Sequence, residues 1–327
     1  MKNKKHIIIW LLSGFFMIYI MVIIGGITRL TGSGLSIADW KPIMGALPPM
    51  NNIEWNDKFE LYKTTPEFKE KNNTFNLSEF KSIFWWEFIH RNLGRLIGIV
   101  FLIPFIIFLI KRSFKKTFLR KMIFLLFLGS FQGVLGWYMV YSGLIDVPYV
   151  SHLRLAAHFI TAISVMCYIF WIILELKPKK ETENYNKLAY KLSIIFTCIV
   201  TMQLIYGAFT AGLDAGFGYS RLLDIINFPN SFGNIINHSF TVLFIHRYLG
   251  ILLLISVLIL KLKVNIISNN IKVKRAVNLL LISIIIQCLL GMSTLILNTP
   301  IVLAVIHQGF AVLVLLACIY MIHCSRR

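Results

Sequence analysis

Eight apolar runs of about 20 residues each restrict this chain more than any other feature. They fall at about 6–27, 82–110, 121–141, 153–175, 190–210, 239–260, 275–297 and 301–323. A run of this length matches a bilayer core of roughly 30 Å, and without water every backbone N–H and C=O must be satisfied inside its own segment. The runs therefore predict eight transmembrane helices and an all-α integral membrane protein. Charge supports this: 14% of residues are charged, whereas a soluble domain carries roughly a quarter. That excludes an ordinary soluble enzyme and a disordered chain.

The net charge of +19 raises the question of a nucleic-acid partner. Its distribution answers it. With the N-terminus inside, 21 of the 33 basic residues fall in the tails and inner loops, from Lys2, Lys4 and Lys5 through Lys179 and Lys180 to Arg326 and Arg327. Eleven of the 14 acids fall on or near the other side. This is the positive-inside pattern of a protein in contact with the lipid bilayer, with both termini cytoplasmic. No solvated basic run is interleaved with stacking aromatics, so no nucleic-acid partner is expected. The first run is too long for a signal-peptide core, and Gly25-Gly26-Ile27-Thr28-Arg29 makes a poor cleavage site. With no long Arg- and Ser-rich presequence, a bacterial inner membrane is expected rather than an organelle. All five cysteines lie in spans or at the cytoplasmic end, with no CxxC spacing, and read as small buried apolar residues.

The chain repeats itself. Phe88-Ile-His90-Arg91-Asn92-Leu-Gly94 recurs as Phe244-Ile-His246-Arg247-Tyr248-Leu-Gly250, and Gln132-Gly-Val-Leu-Gly136 as Gln287-Cys-Leu-Leu-Gly291. Leu155-Ala-Ala-His158 has Ala304-Val-Ile-His307 as counterpart, and Gly25, Thr28 and Gly34 match Gly207, Thr210 and Gly216. The repeat unit is four spans, an even number, so both copies enter the membrane from the same side. The expected architecture is two tandem four-helix bundles, 1–176 and 177–327, related by a pseudo-twofold axis along the membrane normal.

The repeat sets His90, His158, His246 and His307 about five to nine residues into four helices that run inward, at one depth. A lone histidine in a span is readily explained by an interhelical hydrogen bond. Four at equal depth, paired by the repeat, point to metal ligation. Zinc and iron–sulfur sites want more ligands clustered together, whereas two imidazoles from facing helices suit the axial positions of a haem. Gly94 and Gly250 lie one turn from a histidine, on its face, with two readings: room for a macrocycle or close helix packing. Arg91 and Arg247 follow their histidines directly. Either they meet haem propionates in a bidentate geometry, or they snorkel to the interface. His6, His152, His238 and His323 lie near helix ends and read as surface groups.

The two halves differ at one telling place. Glu87 lies one turn before His90, and its repeat partner is Leu243. A carboxylate beside only one of two haem sites points to proton chemistry there; a hydrated first-turn glutamate favoured by the helix dipole is the other reading. The outer connection 28–81, with a polar stretch at 51–81, is long enough to carry substrate or partner contacts, or to cover the bundle mouth.

Glu87-Phe-Ile-His90-Arg91, the segment Gly26-Ile-Thr-Arg29-Leu-Thr-Gly-Ser-Gly34 leading to Asp39-Trp40, and the four repeated histidines together resemble the haem A synthase family over nearly the whole chain. The resemblance implies an oxidoreductase that converts a ring methyl of haem O to a formyl group, with water-derived oxygen, giving haem A for cytochrome c oxidase. It implies that His246 and His307 hold a resident haem b, that His90 and His158 face the substrate haem O, and that Glu87 is the essential acid. Haem O synthase, cytochrome oxidase assembly factors and an electron acceptor are the partners it implies. The first outer loop lacks the cysteine pair of some members, so the chain is similar to the cysteine-free branch. A diheme electron-transfer cytochrome would need the same four histidines but not Glu87.

Overall fold

A computed structural model describes residues 3–39, 44–145, 147–177, 187–216 and 234–326. Trp40, Lys2, Lys179, Lys180 and Arg327 lie outside the described residues. The described residues contain helices and no strand. Eight helices are long and apolar enough to cross a membrane: α1 (Lys4–Leu30), α4 (Leu77–Ile110), α5 (Lys116–Ile145), α6 (His152–Leu176), α7 (Lys187–Gly212), α8 (Ser239–Ile267), α9 (Ile271–Ile296) and α10 (Ile301–Ser325). Two short helices, α2 (Asn52–Lys63) and α3 (Pro66–Glu70), lie between α1 and α4.

Several helices run beyond their apolar runs, because polar residues start and end them. At the head of α4 the Asn76 side chain accepts from the Glu79 N–H, and the Glu79 carboxylate accepts in return from the Asn76 N–H. This capping box starts the helix five residues before the apolar stretch. Asn51 caps α2 in the same position, and Asn270 caps α9.

The chain divides into two compact units, Met1–Val165 and Met166–Arg327. In the first, α1 packs along α4. Pro104 lies inside α4 and has no N–H to give the Val100 carbonyl one turn back. The Trp10 indole N–H of α1 supplies the missing bond to Val100 at 2.9 Å. Phe101 and Phe108 pack around the same indole.

The 51–81 stretch is polar in sequence, yet α2 and α3 fold onto the first turns of α4 through an aromatic core. Trp55, Phe59 and Tyr62 of α2 are buried against Phe80, Ile83, Phe84 and Phe88, with Ile37 and Phe68 alongside. Trp55 meets the Phe84 ring edge-on, with centroids 4.9 Å apart, and Phe80 stacks on Tyr62 at 5.2 Å. The connection is thus a folded cap over the head of α4.

In the second unit α7, α8, α9 and α10 close a ring, each packed on its two neighbours. Val242, Val257, Leu280, Val312, Cys318 and Met321 are among its most deeply buried side chains. Toward the far end of α10, Ser325 meets Ser193 of α7 at 3.2 Å.

Candidate functional site

All four repeated histidines are half-buried on the helices expected to carry them: His90 on α4, His158 on α6, His246 on α8 and His307 on α10. Each ring lies against a glycine of a neighbouring helix. A Cβ on Gly136, Gly207 or Gly291 would stand 3.0, 3.1 or 2.8 Å from the Cε1 of His158, His246 or His307. A Cβ on Gly25 would stand 3.2 Å from the Nε2 of His90. Any side chain at these positions would push the ring away. The glycines recognised in sequence as part of the repeat are therefore seats for the imidazoles. By contrast, the Cβ position of Gly98 is open.

Three glutamines stand one turn before three of these glycines, on the same helix face. Gln132 Nε2 donates to the His158 carbonyl at 2.9 Å and lies 3.0 Å from its ring Nδ1. Gln287 repeats the arrangement on His307, at 3.1 and 3.0 Å. Gln203 donates to the His246 carbonyl at 3.0 Å. Gln203 escaped the sequence reading, although its spacing from Gly207 equals that of Gln132 from Gly136 and of Gln287 from Gly291.

In the second unit the His246 and His307 rings have centroids 6.4 Å apart and planes at 88°. A metal held between two imidazoles, at about 2 Å from each nitrogen, sets the ring centres about 6 Å apart. Further atoms bear on the fit. His246 Nδ1 and the Oε1 atoms of Gln132, Gln203 and Gln287 are buried without a hydrogen-bond partner. A ligating histidine gives its second ring N–H to an acceptor. Among the described residues no three metal-ligating side chains come together. Paired imidazoles, glycine seats and spare amide oxygens fit a haem iron better than a zinc cage. In the first unit, His90 and His158 are close enough to interact electrostatically.

Glu87 is 2% exposed and both its oxygens are engaged. Oε2 accepts from the Ser36 hydroxyl at 2.7 Å and from the Ile37 N–H at 2.8 Å. Oε1 accepts from Arg91 Nη2 at 2.6 Å and Nε at 3.0 Å. Arg91 Nη2 also donates to the Ile37 carbonyl at 3.1 Å. Glu87 thus ties the segment after α1 to α4. These contacts engage Arg91 Nε and Nη2 with Glu87 and Ile37. In the second unit Leu243 is buried at the matching position, and Arg247 is half-buried with no carboxylate one turn before it.

A second acid lies buried in the cap. Glu67 accepts from the Tyr62 hydroxyl at 3.1 Å, and Asn72 donates to the same hydroxyl at 2.7 Å. Burial pushes the Glu67 carboxyl up to about 7; the Tyr62 bond and Lys71 oppose the rise, and the Glu87 charge adds to it. Burial also raises the Tyr62 phenol. Of the remaining histidines, His238 caps α8 by accepting from the Thr241 N–H, and His323 meets the Trp171 ring edge-on.

The model of the COX15-CtaA family, cytochrome oxidase assembly protein, matches residues 8–319. The chain belongs to this family. It is 40% identical to the haem A synthase of Flavobacterium psychrophilum, with 99% of each chain covered. It is 39% identical to that of Nitrosospira multiformis, over 99% of this chain and 94% of the relative. It is 38% identical to that of Wolbachia pipientis wMel, over 94% and 89%.

Proposed function

We propose that this family member is a haem A synthase, an oxidoreductase acting on a CH group of haem O. The observation that carries the reading is likeness to haem A synthases along essentially the whole chain. The substrate is haem O, bound in the first half (1–176) with His90 and His158 facing its iron. A resident haem b sits in the second half (177–327) on His246 and His307, supported by their 6.4 Å ring separation. Haem b, when bound, supplies a one-electron redox centre. Arg247 is assigned to a propionate, while Arg91 works through Glu87.

The overall change takes a methyl group and one water to a formyl group, releasing four electrons and four protons. Two successive hydroxylations with water-derived oxygen give a gem-diol, which loses water to the aldehyde. The electrons pass to an acceptor outside the chain. Glu87 fixes a negative charge at the first site, where it stabilises positive charge developing on the methyl carbon. To accept a proton from water it must first release the Ser36 hydroxyl, the Ile37 amide or Arg91, which links proton transfer to loosening of that segment. The enzyme works in a bacterial inner membrane with both termini cytoplasmic, beside haem O synthase and cytochrome oxidase assembly factors. The positive-inside charge distribution supports that orientation.

The test is extraction and chromatography of the pigments bound to the purified protein. Haem b together with haem O or haem A is the expected result. Haem b alone would favour a diheme electron carrier and sink the enzymatic reading.

A further inference from the structure

The four histidine seats follow one plan with one exception. On α5, α7 and α9 the residue one turn before the seat glycine is glutamine, and each glutamine donates to the carbonyl of the histidine it faces. On α1 the residue one turn before Gly25 is Met21. Met21 and Gln203 occupy equivalent places. The Met21 Cε lies 3.3 Å from the Cβ position of Gly94, and the Gln203 Nε2 lies 3.5 Å from that of the repeat partner Gly250. A thioether of similar length thus stands where an amide would, and it has no N–H to give.

The ring beside the exception is turned. His158, His246 and His307 all present Cε1 to their glycines, whereas His90 presents Nε2 at 3.2 Å and Cδ2 at 3.6 Å. Within the hydrocarbon core no water replaces a missing hydrogen bond. A histidine without its glutamine therefore lacks the contact that fixes the other three backbones and, for two of them, the ring.

We infer that Met21 makes His90 the releasable ligand of the four: three glutamines lock their histidines on iron, while the methionine leaves His90 able to turn off and on the iron of the first-unit haem. Met21 is a positioning residue and touches no reacting atom. The consequence is a division of labour in haem exchange. A substrate must arrive and a product must leave, so one site needs a ligand that lets go, and the other must retain its haem through every turnover.

This inference rests on histidine ligation as proposed above, and the experiment separates the two. Purified protein is saturated with iron protoporphyrin IX, and haem release to excess apomyoglobin is followed optically alongside the low-spin absorption bands. The wild type is expected to release haem in a fast phase from the first unit and a slow phase from the second. Met21→Gln should slow the fast phase, and Gln203→Met should speed the slow phase, each by about 10–100-fold, the usual worth of a group that orients a metal-bound histidine. Unchanged rates in both variants would overturn the inference, as would a single release phase in the wild type. The ligation reading itself fails on a different result, namely both phases and the low-spin bands surviving in His90→Ala and His246→Ala. Gln203→Met buries no new polar group, so it decides the matter even if Met21→Gln fails to fold.

Discussion

The first unit surrounds its histidines with one glutamine, one methionine and a buried ion pair; the second uses two glutamines and puts leucine where the acid would be. Two of the helix pairs that carry these groups differ in the same sense, while α1 and α7 are alike at 28% each. Only 6% of the most apolar stretch of α4 is buried within the protein, against 22% for its repeat partner α8. The corresponding values for α5 and α9 are 6% and 28%. Apolar helix surface that protein does not cover must be covered by lipid or by a bound apolar molecule. At these two pairs the unit with the acid leaves more apolar helix surface uncovered. Binding tightly and exchanging readily are opposed demands, and a duplicated bundle lets one chain meet both.

The largest effect should come from removing a ligand in the second unit. His246→Ala or His307→Ala should abolish the low-spin bis-imidazole spectrum of the second-unit haem, since one axial nitrogen remains. If that spectrum persisted in both variants, the contrast between a retaining and an exchanging site would have no basis. Next comes the acid. Glu87→Gln should lower haem A formation by about 10²–10⁴-fold while the second-unit spectrum stays intact. A loss of both together would mean that Glu87 holds the whole protein in shape and gives the first unit no chemistry of its own.

A smaller effect is expected at the glycine seats. Gly291→Ala places a Cβ 2.8 Å from His307 Cε1 and should weaken haem retention about 10–100-fold. Gly133→Ala, where nothing lies within 4 Å, should change little. Equal responses would remove the seat from the argument.

The smallest effect concerns the cap over the head of α4. The Glu67 carboxyl is raised from 4.5 to about 7, so its contribution to cap stability is full below pH 4.5 and is lost as pH rises through 7. The groups that act on it are Tyr62 of α2, Lys71 at the end of α3 and Glu87 of α4. From Met122 to Ile145, α5 adds only Tyr138 and Tyr141 as ionisable side chains. The hydrogen-exchange protection of residues 52–71, relative to the intrinsic exchange rate at each pH, should fall over this range by at most about tenfold per pH unit, as one proton allows. Glu67→Gln should flatten the dependence; an unchanged profile would assign it to another group.

Much of this was legible before any coordinates. The spans follow from apolar length, and the histidine positions from the repeat. Arg91 is one turn from Glu87, so that pair was within reach of helix spacing alone. Ser36 and Ile37 were not, because they meet Glu87 across 51 and 50 residues of chain, and nothing local marks them. The cap was hidden for a different reason. Its polar residues lower the average hydropathy of 51–81, while Trp55, Phe59 and Tyr62 recur at helical spacing and bury one face. The seat glycines were visible as a recurring motif, but only packing reveals that the atom each one faces is on an imidazole.

The bond from the Trp10 indole to the Val100 carbonyl gives the first unit a pivot. An ordinary helix turn is held by its own ladder, and bending it strains several bonds at once. At Pro104 the ladder is already open, and one side chain of another helix spans the gap. His90 lies ten residues up the helix from Val100, a lever arm of about 15 Å. A few degrees of bend at Trp10 therefore carry the His90 ring through about an ångström, on the scale that separates a bonded nitrogen from a free one. Trp10→Phe keeps an aromatic ring there and leaves the carbonyl bare, so the stiffness of α4 at Pro104 depends on a side chain of α1.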